Sequence, residues 1–285
     1  QRQETHSFRH TAPLNLHLPE GVQDRRFVGL QFEGALKEFR CVVGPVVPGG
    51  PDDLDGVGLC LVLGGDGTML RAFHLTRDKG IPVAGVNLGR VGFLTESDPT
   101  NWQEVLGRVL NGEYWIEERM RLRATAWRDG ATLGQAGALN DVVVGRGSRA
   151  YVVHLCAEVD GGFLASYVAD ALIGATPTGS TAYALAAGGP VMPPQLRSIL
   201  LVPVAPHLSM ERPIVLAEGA KVRILVTDDR PAVLTVDGEV HAELESGDEV
   251  CVEASTHVSR FARVQEPTYF YRTLVTRLAP RNQFL

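Results

Sequence analysis

A short apolar run at residues 59–63 passes directly into Gly64-Gly65-Asp66-Gly67-Thr68, and then into Met69, Leu70, Phe73 and His74. The run is too short for a helix and is closed by glycine, so it predicts a buried strand. The spacing of three to four residues that follows predicts a helix to about Lys79. Between them lies a glycine turn whose backbone can pass close to a ligand. The first N–H groups of the helix have no internal partner and sit at the positive end of its dipole. Such a turn can hold phosphate oxygens. It is neither GxxxxGK[ST] nor GxGxxG, and no lysine follows before Lys79. The acid is the unusual feature, because a carboxylate repels phosphate. Two readings stay open: Asp66 caps the helix, or it is a general base for a hydroxyl attacking a phosphoryl group.

Composition narrows the setting. A chain of 285 residues is long enough for about two domains. With 45% apolar and 21% charged residues it can build ordinary cores. The net charge of −6 and the lack of Lys/Arg runs argue against nucleic acid as a partner. No apolar run is long enough for a membrane span. Cys41, Cys60, Cys156 and Cys251 lie far apart and form no CxxC pair. A reducing, cytoplasmic setting without a zinc site is therefore expected. Gln1 opens the sequence with no signal-peptide pattern.

Residues 1–25 are polar, with scattered prolines, and carry no assignable pattern. Residues 27–32 read as a strand, 33–40 as a short helix, 41–47 as a strand and 48–55 as a surface loop. Residues 81–88 read as a second buried strand, followed by the glycine-rich turn Gly89-Arg90-Val91-Gly92-Phe93-Leu94. Residues 102–110 read as a helix. Strands alternating with helices predict a parallel sheet wound on both sides. Ligands bind such sheets at the carboxyl ends of the strands. Asp66 and Phe93 then share a rim if their strands are neighbours. After Tyr114 the apolar residues alternate, and turns recur at Asp129-Gly130, Asp160-Gly161-Gly162, Asp237-Gly238 and Ser246-Gly247-Asp248. This predicts a β-sandwich or similar, interrupted by one short helix at 181–187. The tail at 268–278 has helical spacing and is expected to pack on the body.

Two further stretches carry polar chemistry. Asn140-Asp141 stands at the mouth of a strand, where an amide and an acid can grip a ribose or an amide group, or can form a plain turn. Thr176-Pro177-Thr178-Gly179-Ser180-Thr181 crowds four hydroxyls before the small residues Ala182, Ala184, Ala186 and Ala187. The stretch reads either as a capping loop, with Ser180 or Thr178 as N-cap, or as a binding loop. A cap needs one hydroxyl, and four imply more polar partners than one helix end supplies, so a binding role is expected. Asp170 reads as a turn acid, Asp237-Gly238-Glu239 as a hairpin turn, and His207 as a loop residue.

Together, Gly64-Gly65-Asp66-Gly67-Thr68, Leu139-Asn140-Asp141, the stretch from Thr176 to Tyr183 and Gly188-Gly189-Pro190 resemble the NAD kinase family. The resemblance runs from about Leu59 to the C-terminus. It implies phosphorylation of the 2′-hydroxyl of the adenosine ribose of NAD by ATP or polyphosphate, giving NADP. It also implies magnesium or another divalent metal carried with the donor, and a homodimer or homotetramer. The implied fold is a Rossmann-like α/β domain with a parallel sheet over 1–115 and a β-sandwich-like NAD-binding domain over 116–264. A C-terminal segment, 265–285, returns to the N-terminal domain. By motif position, Asp66 matches the base. Gly64, Gly65, Gly67 and Thr68 match the donor-phosphate turn. Gly67, Phe93, Asn140, Asp141, Tyr151, Asp170, Thr178, Thr181, Ala182, Tyr183, Ala184, Leu185, Ala186 and Glu239 match NAD-binding positions, part of the pocket coming from a neighbouring subunit. The chain has Ala169-Asp170-Ala171 where most members have Gly-Asp-Gly. It has Tyr151 where some have histidine. It has Glu239 where many have glutamine, and a carboxylate there is expected to weaken NADP binding and so change product inhibition.

Overall fold

The structure is a computed structural model that describes residues 28–32, 39–44, 54, 57–87, 92–97, 100–148, 150–207 and 209–278. The N-terminal elements are β1 (Val28–Phe32), β2 (Phe39–Gly44), β3 (Val57–Leu63), α1 (Asp66–Thr76), β4 (Val83–Val86) and α2 (Trp102–Leu110). The short helix expected at 33–40 lies outside the described residues, apart from Phe39 and Arg40, which open β2. Most of the loop at 48–55 and the turn residues 89–91 lie outside them as well.

β2, β3 and β4 pair in parallel, and β1 adds antiparallel to β2. The pleat sends alternate residues of β3 to opposite faces. Cys60 and Val62 pack with Met69, Ala72 and Phe73 of α1. Leu59 and Leu61 pack with Leu106 and Val109 of α2. The sheet is therefore covered on both faces, as the alternation of strands and helices predicts. Burying a side chain the size of Met69 or Phe73 contributes about 1.5–3 kcal/mol, and both are essentially inaccessible to solvent.

The β-rich part follows as β5 (Trp115–Arg128), β6 (Ala131–Ala138), β7 (Asp141–Gly145), β8 (Val153–Val159), β9 (Gly162–Ala169) and β10 (Ala171–Ala175). After a 3-10 turn at Gly179–Thr181 come α3 (Tyr183–Ala186), β11 (Ser198–Val204), β12 (Ile214–Ala217), β13 (Val222–Val226), β14 (Ala232–Val236) and β15 (Glu239–Leu244). The chain closes with β16 (Glu249–Arg263) and α4 (Tyr269–Leu278). An antiparallel six-stranded sheet in the order β12-β11-β10-β7-β14-β15 packs on a second sheet. Val142, Val144, Leu172 and Leu234 of the first meet Leu122, Leu155, Ile224 and Val252 of the second.

The N-terminal sheet does not stop at its own last strand. β16 pairs in parallel with β4 at Phe261 and Val83, and antiparallel with β5 and β13. One ten-stranded sheet thus continues from the α/β part into the β part. The expected boundary positions near 115 and 264 face each other in it, where Trp115 pairs with Arg263.

β16 and α4 also fix the segment after β4. Arg263 donates to the Leu94 carbonyl at 2.9 Å and to Glu117 at 2.8 Å. Glu96 accepts the N–H groups of Val264 and Gln265. Arg277 of α4 donates to the Thr95 carbonyl and lies over the Phe93 ring. The tail therefore packs on the body, as its spacing predicts, and its contacts are with the N-terminal half.

Candidate active site

Asp66 does not cap α1. The N-cap is Gly65, and no side-chain cap is present. Asp66 is the first helical residue, and its carboxylate crosses to the turn after β4. There Oδ2 accepts the Phe93 N–H at 2.8 Å and Oδ1 the Leu94 N–H at 3.2 Å. Because β3 and β4 are parallel neighbours, Asp66 and Phe93 do share a rim. Each carboxylate oxygen accepts one N–H and keeps a lone pair.

Gly92 makes this contact feasible. A Cβ there would stand 2.0 Å from Asp66 Oδ1. Gly92→Ala must therefore displace the carboxylate without changing its chemistry. The expected result is a loss of turnover of about 10²-fold, the usual consequence of misplacing a reacting group by about 1 Å, read as kcat beside an unchanged circular dichroism spectrum. At Gly64 φ is +154°, and a Cβ would meet Thr68 Oγ1 at 2.6 Å. The Gly64 N–H is already bonded to the Val86 carbonyl, and the Thr68 N–H to the Gly65 carbonyl. Among the expected donor-phosphate residues, Gly67 keeps a first-turn N–H with no intrahelical acceptor.

The two polar clusters of the β part are adjacent. Asp141 opens β7, Ala175 ends β10, and the two residues are partners in the antiparallel ladder. Thr176 donates its N–H to the Asn140 carbonyl at 2.9 Å and its hydroxyl to the Leu139 carbonyl at 2.5 Å. Gly179 lies so close that a Cβ would sit 2.0 Å from the Asn140 carbonyl oxygen.

Most of the hydroxyls find partners within the loop itself. Thr176 also accepts the Gly179 N–H, Ser180 links the Pro177 carbonyl to the Met192 N–H, and Thr181 donates to the Thr178 carbonyl. Three of the four therefore build the loop. The helix after it is shorter than 181–187, because Ala182 breaks from helical geometry at φ −104°, ψ −126°. The Ala184 side chain is buried against β11 and faces the core. Thr181, Ala182 and Leu185 are half-buried, while Tyr183 and Ala186 are exposed.

Asp237 organises the Asn140–Asp141 turn, beyond the hairpin turn that Asp237-Gly238 suggests. With Gly238 it does form the β14–β15 turn, both residues having positive φ. Its buried carboxylate accepts the N–H groups of Leu139, Asn140 and Asp141 at 2.8, 2.7 and 3.1 Å. His74 Nε2 of α1 approaches the same carboxylate at 2.9 Å. Burial raises the Asp237 pKa, but the hydrogen bonds from His74, Leu139 and Asn140 outweigh it and hold it below the usual range. Asp141 goes the other way. Burial, and then the nearby Asp237 charge, push its carboxyl up to about 7.

A cavity of about 240 Å³ lies where these parts meet, lined by Gly67, Leu70, Arg71, His74, Asp237 and Glu239. A second, of about 330 Å³, is lined by Asp170, Ala171, Tyr183, Arg146 and Thr235, among others. Asp170 there forms an ion pair with Arg146 at 3.1 Å. Tyr151 lines neither cavity, and its hydroxyl donates to the Pro231 carbonyl at 2.8 Å. The residues that sequence reasoning missed are His74, Gly92, Gly179 and Asp237 as an anchor. A glycine at each close approach and an Asp-Gly turn were the available signals.

Comparison with known proteins agrees with the motifs. Residues 52–114 match the ATP-NAD kinase N-terminal domain and residues 139–264 the ATP-NAD kinase C-terminal domain. The chain is 40% identical over 273 residues to NAD kinase of Polaromonas naphthalenivorans, covering 92% of this chain and 94% of that protein. It is 44% identical over 220 residues to NAD kinase of Heliobacterium modesticaldum, covering 77% and 78% respectively. The fold resembles yeast NADH kinase complexed with NADH, with a TM-score of 0.75 and 28% identity over 83% of this chain and 70% of that one. It also resembles an NAD kinase from Archaeoglobus fulgidus in complex with ATP, with a TM-score of 0.66 and 28% identity over 79% and 84%.

Proposed function

The chain belongs to the NAD kinase family, and from that premise we propose that it transfers the terminal phosphoryl group of ATP or polyphosphate to the 2′-hydroxyl of the adenosine ribose of NAD. The observation that carries this reading is the shared cavity. Gly67, from the phosphate-type turn, and Asp237, which holds the Asn140–Asp141 turn, line the same space. A donor and an acceptor bound by these two parts are therefore neighbours.

In this reading Asp66 is the base. Fixed by Phe93 and Leu94, it offers a remaining lone pair to the 2′-hydroxyl and takes its proton as the oxygen attacks the terminal phosphorus. The new P–O bond forms as the bond to the bridging donor oxygen breaks, and the shortened donor leaves. The Gly67 N–H and the α1 dipole stabilise charge on the phosphates. Asn140 and Asp141 hold the ribose and adenine, with Thr178, Thr181, Ala182, Tyr183, Leu185 and Ala186 beside them, and Asp170 and Glu239 line the outer parts. The family's two-subunit pocket gives a reason to expect a homodimer or homotetramer, and a cytoplasmic setting is part of the same proposal.

A divalent ion, magnesium by preference, fits as a passenger on the donor. No group of three or more acidic, histidine or cysteine side chains is gathered for a metal among the described residues. Magnesium is commonly held by one or two carboxylates, waters and substrate phosphates rather than by a protein cage. The ion would neutralise phosphate charge, and Asp66 is the acid that the phosphate-type turn would offer it.

The experiment is a panel of ATP–magnesium and polyphosphate against NAD and NADH, with NADP read by an NADP-specific dehydrogenase. NADP formation from NAD with at least one donor is the expected result. Binding of NAD with no turnover under any donor contradicts the reading.

A further inference from the structure

Asp237 has a full set of partners. Oδ1 accepts the N–H groups of Asn140 and Asp141, and Oδ2 accepts the Leu139 N–H and faces His74 Nε2. Two lone pairs on each carboxylate oxygen make four acceptor sites, and four donors surround them. Asp237 thus anchors three consecutive backbone N–H groups of the acceptor turn.

The donor from α1 is set by a second buried residue. Arg121 of β5 is 1% exposed. Its Nη1 donates to the Phe73 carbonyl and to Ser259 Oγ, and its Nη2 to the Gly137 carbonyl. Nη2 also lies 3.2 Å from His74 Nδ1. A guanidinium carries only donors, so this contact requires a bare lone pair on Nδ1. The ring hydrogen then sits on Nε2, aimed at Asp237 Oδ2. The other charges near Arg121 are Arg77 and Asp78, beyond the end of α1, and Asp141 lies beside Asp237.

We propose that His74 is a positioning residue: it accepts from Arg121, donates to Asp237, and so fastens the Asn140–Asp141 turn to the helix that begins with Asp66. The inference rests on the acceptor site assigned under Proposed function. α1 is continuous from Asp66 to Thr76. At about 1.5 Å of rise per residue, it holds the base and the anchor roughly 12 Å apart along its axis. One rigid element thereby sets the base and the acceptor turn in register.

The test compares His74→Gln, His74→Asn and His74→Leu. A glutamine amide N–H reaches the place of Nε2 and can still donate to Asp237. Asparagine is too short for that, and leucine cannot donate. Loss of a hydrogen bond to a buried charge costs about tenfold to a hundredfold in affinity. The expected result is a KM for NAD raised by about that factor in the Asn and Leu variants, with the KM for ATP little changed. The Gln variant should recover most of the loss. Two-bond ¹H–¹⁵N spectra of the unliganded wild type should show hydrogen on Nε2 of His74 and none on Nδ1. Three results overturn the proposal: hydrogen on Nδ1, a wild-type KM for NAD in the Asn variant, or equal losses for both substrates in all three variants. A wild type that makes no NADP defeats the functional reading instead, and leaves the tautomer measurement to stand or fall on its own.

Discussion

Asp66→Asn is expected to reduce turnover by about 10²–10⁴-fold, the usual loss when a general base is removed. The amide cannot accept the proton of the ribose hydroxyl. The substitution also has a structural side, because both oxygens of Asp66 receive backbone N–H groups, from Phe93 and Leu94. An asparagine keeps one acceptor and turns an N–H group toward the other donor. That mismatch is expected to cost about 1–3 kcal/mol. A modest fall in Tm should therefore accompany the kinetic loss. Gly92→Ala supplies the contrast, since it moves the carboxylate and keeps its basicity. A fall in turnover below tenfold in a folded Asp66→Asn enzyme would leave Asp66 an anchor for the turn and remove it from the chemistry.

Asp141→Asn is expected to make the protein more stable and a poorer binder of NAD. The carboxyl of Asp141 is pushed up to about 7 by burial and by Asp237. Between the ordinary value of 3.8 and about 7, the native state holds a proton that the unfolded chain has released. Stability therefore falls as pH rises through this window, and the cost is fully present above it. Asp237 acts in the opposite sense: its pKa is depressed, so it stabilises the fold above the unfolded value and that contribution is lost as pH falls through the native one. The two slopes occupy different pH ranges. Asparagine removes the Asp141 slope, and stability at pH 8 should rise by on the order of 4 kcal/mol, measured by urea titration from pH 5 to 8. The wild-type KM for NAD should fall as pH rises through 7, because the carboxylate accepts ribose hydroxyls better than the acid does. In the variant KM should be higher by about tenfold or more and flat with pH. An unchanged stability profile would contradict the buried like-charge pair.

The sheet and its two helices were legible because their signals are local. Residues 59–63 are apolar on both faces, and α1 and α2 repeat at helical spacing. The identity of the site was legible because Gly64 to Thr68 and Thr176 to Tyr183 are contiguous in the chain. What joins them was not. His74 and Asp237 are 163 residues apart, and nothing in the sequence pairs them. The continuation of the sheet through Val83 and Phe261 is equally non-local. The partners of the hydroxyl turn were not legible for a physical reason. Composition counts donors, but only coordinates show that Thr176, Ser180 and Thr181 are taken by the Leu139, Pro177, Met192 and Thr178 backbones. Asp66 beside a helix start suggested a cap, yet Gly65 already occupies that position.

The central claim is that the base on α1 and the turn held by Asp237 address one ribose. A crystal structure with NAD bound tests it most directly. The predicted result is the adenosine 2′-hydroxyl within about 3 Å of an Asp66 carboxylate oxygen, with the same ribose or its adenine on Asn140 and Asp141. A ribose seated on Asn140 and Asp141 with its 2′-hydroxyl beyond hydrogen-bond reach of Asp66, or NAD bound away from both, would contradict it.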